Sequence, residues 1–303
     1  MPRVVQTASG PGEPLTVFGD DYGAQRGRRK TCAATRGTGG MADWMAEEVD
    51  SVDLGLENKT VLIVGASKGI GRAIANAFAS EHCRIVAVAR SEDLLKDLAQ
   101  ECLELGASSF ASEAHDIMAC DTRKLAERFL ETYGVFQVVV HNVGGSLISR
   151  NGLGAAEDWI YALKFNALAA IDMNSVLIPP MIAQGKGHIV HVSSISAKML
   201  RGNPLYASAK AFLNAYVTSV GRQIAASGVT LCSVMPGAVA FPGSYWDRFV
   251  QEGNPRVEDF LRHHQAVNRF GAPEEIANAV LFLASDKASF MQAANIPVDG
   301  GNM

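Results

Sequence analysis

From residue 60 onward, apolar strand-like runs alternate with segments whose apolar residues recur at helical spacing. The predicted strands are 60–64, 84–89, 109–115, 136–141, 187–192, 229–234 and a short last one at 294–298. Because helix-period residues separate successive strands, each connection is predicted to be a right-handed crossover between parallel strands. The pattern therefore predicts an α/β fold in a single domain: a doubly wound parallel sheet of about seven strands with helices on both faces, the Rossmann fold.

In a sheet of this kind, ligands bind at the carboxyl ends of the strands, at the point where the strand order reverses. The polar and glycine positions that stand out in this chain all follow predicted strands. They are the glycine turn 65–71 after the first strand, Arg90 after the second, Asp116 after the third, Asn142 after the fourth, Ser193-Ser194 after the fifth and Pro236-Gly237 after the sixth. These positions are therefore predicted to share one crevice.

Residues 1–56 differ from the rest, because glycine, arginine and polar residues dominate and no apolar period is sustained. Such a composition cannot bury enough surface to order itself, so a disordered amino-terminal extension is predicted, with the folded domain at 57–303. The basic cluster 26–30 is either an interaction tail or part of a wrongly assigned start, in which case Met41 or Met45 begins the protein.

Composition narrows the choice of partners and compartment. With 303 residues, 48% of them hydrophobic, the chain can bury a sizeable core. A net charge of −4 indicates no nucleic-acid partner, and the apolar runs are taken as too short to span a membrane. The five cysteines are scattered, and no histidine has metal-ligand spacing, so we expect no disulfide framework, no metal and a cytoplasmic protein.

A strand, a tight turn and a helix are predicted over 61–75. Glycines at 65, 69 and 71 would let the backbone approach a pyrophosphate and let the helix pack close to the strand. Unpaired N–H groups at the start of the helix would face the phosphates. A glycine turn of this kind is not specific by itself.

Tyr206 and Lys210 are four residues apart, a spacing that turns through roughly 400° and places both on one face of a helix. A nearby ammonium favours the phenolate, so the pKa of Tyr206 is expected to be lowered and the phenol to act as an acid or base. The alternative is a routine helix pair without a chemical role.

The ordered series of motifs resembles that of the short-chain dehydrogenases/reductases, in particular NADP-dependent members such as 3-oxoacyl-thioester reductases. The series is Gly65-x-x-x-Gly69-x-Gly71, Asn142-Val143-Gly144, Asn166, Ser194, Tyr206-x-x-x-Lys210 and Pro236-Gly237. The resemblance covers about residue 57 to Met303 and makes 57–303 a dinucleotide-binding catalytic domain.

The resemblance implies an oxidoreductase that transfers a hydride between NADP(H) and a small-molecule carbonyl or secondary alcohol. Ketone reduction is the expected direction, with a 3-oxoacyl thioester or another small apolar ketone as substrate. A homotetramer is implied because the last strand packs at a subunit interface in relatives. Two alternatives remain: a non-catalytic NADP(H)-sensing regulatory protein, and an NAD-dependent alcohol dehydrogenase of the same family.

The catalytic roles also come from the resemblance. Tyr206 would give the proton, Lys210 would hold the nicotinamide ribose, and Asn166 would interrupt its helix and hold a water linked to Lys210. A serine would hold the carbonyl oxygen near the phenol. Spacing leaves Ser193 and Ser194 open, whereas the resemblance favours Ser194, and strand alternation lets only one of them face Tyr206.

NADP is favoured over NAD because Arg90, and no carboxylate, follows the second strand, although Glu92 and Asp93 come soon after. Arg90 and Lys68 can hold a phosphate, although Arg90 is alternatively a solvated strand-end charge. The predicted cofactor contacts are Gly65, Ser67, Lys68, Gly69, Ile70, Gly71, Arg90, Ser91, Asp116, Ile117, Asn142, Val143, Gly144, Tyr206, Lys210, Pro236, Gly237 and Val239. Asp116 would flank the adenine, or would instead cap a helix beginning near residue 121.

Two departures from the family pattern are His141 and Val143, where the fourth-strand motif usually has asparagine and alanine. The substrate side is predicted to be the segment 238–249, which contains several aromatic residues and a glycine. It is either a mobile lid over an apolar ligand or a hydrophobic anchor. Nothing in it names a substrate.

Overall fold

Residues 52–146 and 152–302 are described by a computed structural model of the chain. Within these ranges one sheet holds seven parallel strands in the order β3-β2-β1-β4-β5-β6-β7. The strands are β1 (Thr60–Val64), β2 (Arg84–Ala89), β3 (Ser109–Ala114), β4 (Val138–His141), β5 (Gly187–Val192), β6 (Val229–Pro236) and β7 (Asn295–Val298). The predicted doubly wound sheet is confirmed, and the strand order reverses between β1 and β4.

Helices connect the strands and cover both faces of the sheet. They are α1 (Gly69–Ser80), α2 (Glu92–Glu104), α3 (Thr122–Tyr133), α4 (Ala156–Leu163), a π-helical segment (Lys164–Leu168), α5 (Ala169–Gln184), α6 (Ser196–Met199), α7 (Pro204–Ile224), α8 (Asp247–Gln251), α9 (Pro255–His264) and α10 (Pro273–Leu283). Single 3₁₀ turns lie at Ala225–Ser227 and Asp286–Ala288.

The core has two halves because successive strand residues point to opposite faces of the sheet. Val61 and Ile63 face α1, α2 and α10, where Phe78 is fully buried. Leu62 faces α3, α5 and α7 on the other side, where Phe129 is fully buried. Each such side chain contributes about 1.5–3 kcal/mol by leaving water. This packing holds the carboxyl ends of the strands at one edge.

The amino-terminal boundary lies close to the first strand. Leu56 is fully buried in the α1-side core, and its carbonyl oxygen accepts hydrogen bonds from Lys59 N (3.1 Å) and Cys83 Sγ (3.2 Å). Residues 1–51 lie outside the described residues, so the disordered extension, the basic tail and the alternative starts Met41 and Met45 stay predictions.

One helical run is longer than the sequence led us to expect. The continuous stretch Ala156–Gln184 is long and apolar enough to cross a bilayer, so the expectation that every apolar run is too short is wrong. Its residues Met173, Leu177 and Met181 nevertheless pack into the α3-side core. The run is therefore a core helix of this fold, with apolar residues facing the sheet.

Candidate functional site

The glycine turn after β1 packs closely against both α1 and the end of β4. Gly65 has φ +92°, and a Cβ at Gly71 would lie 2.0 Å from the Gly65 carbonyl oxygen. Asn142 Nδ2 donates to the same oxygen at 2.9 Å. Any side chain larger than hydrogen is excluded at Gly71, because its Cβ would collide with the Gly65 backbone, which cannot move aside. The strand–turn–helix predicted over 61–75 is present.

A cavity of about 250 Å³ opens beside this turn, at the point where the strand order reverses between β1 and β4. Many of the predicted cofactor contacts line it: Gly65, Ser67, Lys68, Arg90, Asp116, Ile117, Asn142, Val143 and Gly144. Val64, Val88, Ala89, His115 and Phe165 also line it. Four of these additional residues lie at strand ends and could have been found from the strand pattern: Val64, Val88, Ala89 and His115. Nothing in the sequence singled out Phe165.

Beside the exposed carboxylate of Asp116, the cavity is lined by two exposed cations, Arg90 and Lys68. Neither forms an ion pair with any residue in the described ranges, so both remain available to a phosphate. Glu92, the nearby carboxylate noted in the sequence, pairs instead with Lys96 at 3.0 Å along α2. Ser91 caps α2 by accepting from Leu94 N at 3.4 Å. The cavity lining therefore holds two cations without an ion-pair partner among the described residues and one carboxylate, that of Asp116.

Asp116 does not cap the next helix. Asp121 is the N-cap of α3, and its carboxylate accepts from Arg123 N and Lys124 N at 3.1 and 3.2 Å. The Asp116 carboxylate accepts from Met118 N at 2.9 Å and lines the cavity. The capping alternative for Asp116 is therefore wrong, because α3 has its own cap.

Tyr206 and Lys210 lie on one face of α7, near its start. Asn203 caps this helix by accepting from Leu205 N and Tyr206 N, and Pro204 occupies its first turn. The Tyr206 phenol is hydrogen-bonded to Ser194, whose oxygen also accepts from Ser196 N at 3.1 Å. The Ser193 hydroxyl is buried without a hydrogen-bond partner in the described part of the chain. Ser194 is thus the serine that faces Tyr206.

Lys210 is almost completely buried, and its Nζ donates to the Val192 carbonyl oxygen at 2.8 Å. This Nζ lies 5.9 Å from the centre of the Tyr206 ring. Burial lowers the pKa of Lys210 to about 7, and it raises the pKa of Tyr206 despite the bond from Ser194. The expectation that the pKa of Tyr206 is lowered is therefore wrong in this structure, because loss of hydration of the phenolate dominates.

Asn166 lies in the π-helical segment, a rare geometry that is frequent at functional sites. Its Oδ1 accepts from Gly145 N at 2.8 Å, and its Nδ2 donates to the oxygens of Ala162 (3.0 Å) and Gly145 (3.2 Å). A Cβ at Gly144 would lie 2.7 Å from Asn166 Oδ1 and 2.8 Å from Lys210 Nζ. The end of β4, the π-helical segment and α7 therefore converge around Gly144.

The remaining predicted contacts lie outside the lining of the cavity: Gly69, Ile70, Gly71, Ser91, Tyr206, Lys210, Pro236, Gly237 and Val239. Pro236 ends β6, Gly237 N donates to Val298 O at 3.1 Å, and Val239 pairs with Gly271. Tyr206 and Asn166 line a separate pocket of about 10 Å³, and Phe165 lines both spaces.

The aromatic residues after β6 form a cluster around Trp246. Its ring centre lies 4.3 Å from that of Phe260, 5.1 Å from Phe270 and 5.3 Å from Tyr245. Phe270 belongs to the connection into α10, so the cluster joins α8 and α9 to the body of the protein. The segment 238–249 was expected to be either a mobile lid or a hydrophobic anchor, and the packing of Trp246 has the geometry of an anchor.

His141, one departure from the family pattern, is buried and packs against the α3-side layer. Its Nε2 bonds to Asn174 Oδ1 at 2.8 Å, and Asn174 Nδ2 bonds to His191 Nε2 at 3.0 Å. Burial lowers the pKa of His141 to about 4, so the ring is neutral near pH 7. Through Asn174, these two histidines connect β4 and β5 to α5. No group of three or more side chains that could bind a metal occurs in residues 52–146 and 152–302.

Comparisons with known proteins agree with this geometry. A family model described as enoyl-(acyl carrier protein) reductase matches residues 65–302. The 3-oxoacyl-[acyl-carrier-protein] reductase FabG of Thermotoga maritima is 29% identical over 252 residues, which cover 81% of this chain and 98% of the relative.

Two solved structures are similar over most of their length. L-sorbose reductase of Gluconobacter frateurii, complexed with NADPH and L-sorbose, has a TM-score of 0.75 and 29% identity, covering 82% of this chain and 98% of its own. A 7α-hydroxysteroid dehydrogenase, complexed with NADH and a 7-oxo bile acid, has a TM-score of 0.74 and 26% identity. The match covers 83% of this chain and 96% of the dehydrogenase.

The chain belongs to the short-chain dehydrogenase/reductase family, and the resemblance inferred from its motifs is confirmed. It is an oxidoreductase with a fold that binds nicotinamide dinucleotides. Its relatives act on small molecules.

Proposed function

We propose that this protein is an NADP(H)-dependent ketone reductase whose catalytic residues are Asn166, Ser194, Tyr206 and Lys210. The observation that carries the proposal is the convergence around Gly144. There Lys210 and Asn166 meet the crevice that begins at the glycine turn, and the Tyr206–Ser194 pair lies beside Lys210, whose Nζ is 5.9 Å from the centre of the Tyr206 ring. A proton donor and a hydrogen-bond donor for a carbonyl oxygen stand next to a phosphate-binding strand–helix junction.

The residues present fit a nicotinamide dinucleotide. The cavity at the β1–β4 junction has the adenosine-side residues Asp116, Ile117 and Val143 in its wall. The start of α1 presents backbone N–H groups suited to a pyrophosphate, and Gly144 leaves no room for a side chain beside Lys210. Free positive charge at Arg90 and Lys68 suits the 2′-phosphate of NADP and supports NADP over NAD.

When bound, NADPH supplies the hydride that reaches the carbonyl carbon of the substrate. Tyr206 gives its phenolic proton to the carbonyl oxygen, and the Ser194 hydroxyl holds that oxygen beside the phenol. When Lys210 is protonated, its positive charge lies next to the phenol and offsets part of the cost of forming the phenolate. Asn166 fixes the loop at Gly145 and so holds the wall of the site opposite Tyr206.

The substrate class that we propose is a 3-oxoacyl thioester or another small apolar ketone, which the named activity of the Thermotoga maritima relative supports. We place the catalytic domain at 57–303, with the buried Leu56 packed against it, and the protein in the cytoplasm as a homotetramer. Support for oligomer formation comes from Phe290, which is fully exposed close to β7. An aromatic side chain in that position is suited to burial against another subunit.

The decisive experiment measures NADPH oxidation with 3-oxoacyl thioesters, L-sorbose and a 7-oxo steroid, together with the variant Tyr206→Phe. Removal of the proton donor is expected to lower the rate on the best substrate by at least ~10², the scale of general acid catalysis, with the NADPH dissociation constant unchanged. Tyr161→Phe, at an exposed phenol on α4, is the matched control and is expected to keep full activity.

Three outcomes would each contradict a part of the proposal. Tight NADPH binding without turnover of any ketone would favour the alternative of a cofactor-sensing protein. Wild-type rates in Tyr206→Phe would remove the assigned acid. Faster oxidation of NADH than of NADPH at equal concentration would favour an NAD-dependent enzyme of the same family.

A further inference from the structure

The ring of Phe241 lies directly on the glycine turn. A Cβ at Gly69 would be 2.4 Å from both Cε2 and Cζ of that ring, so the ring edge is in van der Waals contact with the Gly69 backbone. Gly69 is the first residue of α1, whose N–H groups are the phosphate-binding donors of this fold. The aromatic ring therefore occupies the face of the turn that a pyrophosphate has to approach.

Phe241 is held there by a compact turn. Its N–H donates to Ser244 Oγ at 3.1 Å, and Ser244 N donates to the Phe241 carbonyl oxygen at 2.8 Å. On its amino side, Ala240 N donates to Gly271 O at 3.1 Å. The turn passes through Gly243, which has φ +81° and no atom within 4 Å of a Cβ built on it. The backbone at Phe241 is thus held by a few local bonds, and its ring packs against the α1-side core, so opening requires the ring to leave that core while the Trp246 anchor stays in place.

The extent of the cavity agrees with a ring that closes the crevice. Lys68, Arg90 and Asp116 line the cavity, but Gly69 and Lys210 do not. At about 250 Å³ it is smaller than the roughly 300–1,000 Å³ of sites for drug-sized ligands. A volume of this size suits the adenosine half of a dinucleotide but not the whole molecule.

We propose that Phe241 is an affinity-determining residue that gates the pyrophosphate and nicotinamide half of the cofactor site. The adenosine half binds with the ring in place, whereas the complete dinucleotide binds only after the ring leaves Gly69. This inference rests on the proposed NADP(H) function and adds to it a step that controls cofactor binding.

A gate of this kind has a measurable consequence. When only a fraction of the molecules is open, the apparent dissociation constant is the intrinsic constant divided by that fraction. If about a tenth of the population is open, removing the ring strengthens NADPH binding roughly tenfold. A fragment that stops before the pyrophosphate bridge gains nothing from the same change.

The test measures dissociation constants by titration calorimetry for NADPH and for adenosine 2′-monophosphate, which carries the adenosine half without either phosphate of the bridge. The proteins are wild type, Phe241→Ala and the matched control Tyr245→Ala. Tyr245 is a largely exposed ring of the same segment. Phe241→Ala is expected to bind NADPH roughly tenfold more tightly and the monophosphate within about twofold of wild type. Tyr245→Ala is expected to match wild type for both ligands.

Unchanged or weaker NADPH binding by Phe241→Ala would overturn the gate while leaving the proposed function intact. Failure of wild type to bind either ligand would overturn the proposed function and the gate together. Should Phe241→Ala not fold, stopped-flow binding to wild type decides the question. The observed rate is expected to level off at high NADPH concentration and to stay linear for the monophosphate, and a linear rate for both would overturn the gate.

Discussion

Single residues of this site owe their chemistry to burial as much as to their neighbours. Lys210 has lost nearly all of its water and keeps one hydrogen bond, to Val192 O. Its pKa falls to about 7, so near neutral pH the folded protein holds a mixture of ammonium and amine at this position. The charge beside Tyr206 is therefore sensitive to pH in the physiological range.

The depressed pKa of Lys210 predicts a pH-dependent stability. Below about pH 7 both folded and unfolded chains carry the proton, and the cost of burying the charge is present in full. Between about pH 7 and 10.5 only the unfolded chain carries it, so this cost is relieved as pH rises. We compare the free energy of unfolding in urea of wild type with that of Lys210→Met. Raising the pH from about 6 to about 9 should change this difference by roughly 2 kcal/mol in favour of wild type.

Lys287→Met, at an exposed lysine, is the control and should show no such change. Cys83 and Cys102, whose thiol pKa values burial raises to about 12, are present in every variant and cancel in the comparison. A difference between wild type and Lys210→Met that does not depend on pH would contradict this interpretation of Lys210.

Arg90 is the residue on which the proposed cofactor preference depends. Arg90→Ala should raise the NADPH dissociation constant about tenfold or more, because a charge-assisted bond to phosphate is lost, and should leave NADH binding within about twofold. Arg84→Ala is the matched control. Arg84 lies at the amino end of β2, away from the cavity, and donates to Asn58 O. Equal losses for both cofactors would mean that Arg90 does not recognise the 2′-phosphate.

At the scale of elements, the decisive contact is the crossing of α1 over the end of β1. Gly71 is the third residue of α1, and its Cα lies against the Gly65 carbonyl oxygen and the Asn142 amide. Helix propensity alone favours alanine over glycine by roughly 1 kcal/mol in a helix. The close approach of the two elements opposes this preference.

Gly71→Ala therefore separates two effects of opposite sign. We expect a loss of about 2–3 kcal/mol of unfolding free energy in urea titrations, because the new methyl group collides with fixed backbone. Gly145→Ala is the control, since a Cβ there meets only Phe165, at 3.7 Å, and it should cost less than about 1 kcal/mol. A stabilised Gly71→Ala would show that propensity outweighs packing at this crossing.

For the molecule as a whole, strand order brings distant residues into one crevice. The two strands at the switch point, β1 and β4, are separated by more than seventy residues, yet Asn142 bonds to the Gly65 carbonyl oxygen. The same sheet buries Leu56 beneath its first strand. The fold therefore extends slightly on the amino side of the boundary at residue 57.

The buried position of Leu56 predicts where the chain can be shortened. Deleting residues 1–51 should leave the thermal unfolding midpoint and NADPH affinity unchanged. Deleting residues 1–56 should cost about 2–5 kcal/mol, because a leucine is removed from the core. Leu56→Ala in the full chain is the companion variant and should lose a similar amount. Equal midpoints for the two deletions would place the boundary at residue 57.

Sequence alone determined the elements and the order of the motifs. Strand positions such as 60–64 and 187–192 were predicted to the residue, because side-chain periodicity and glycine turns are local properties of the chain. Spacing likewise placed Tyr206 and Lys210 on one helical face. The strand order, with β4 beside β1, and the hydrogen bond between Tyr206 and Ser194 came from the tertiary structure.

Only the tertiary structure decided how these groups behave once brought together. The sign of the Tyr206 pKa shift depends on how much water is removed around the phenol, which no spacing reveals. Phe165 in the cavity wall and Phe241 on Gly69 come from segments far from the glycine turn in sequence. Such contacts arise from the meeting of whole elements, and local residue patterns carry no record of which surfaces will meet.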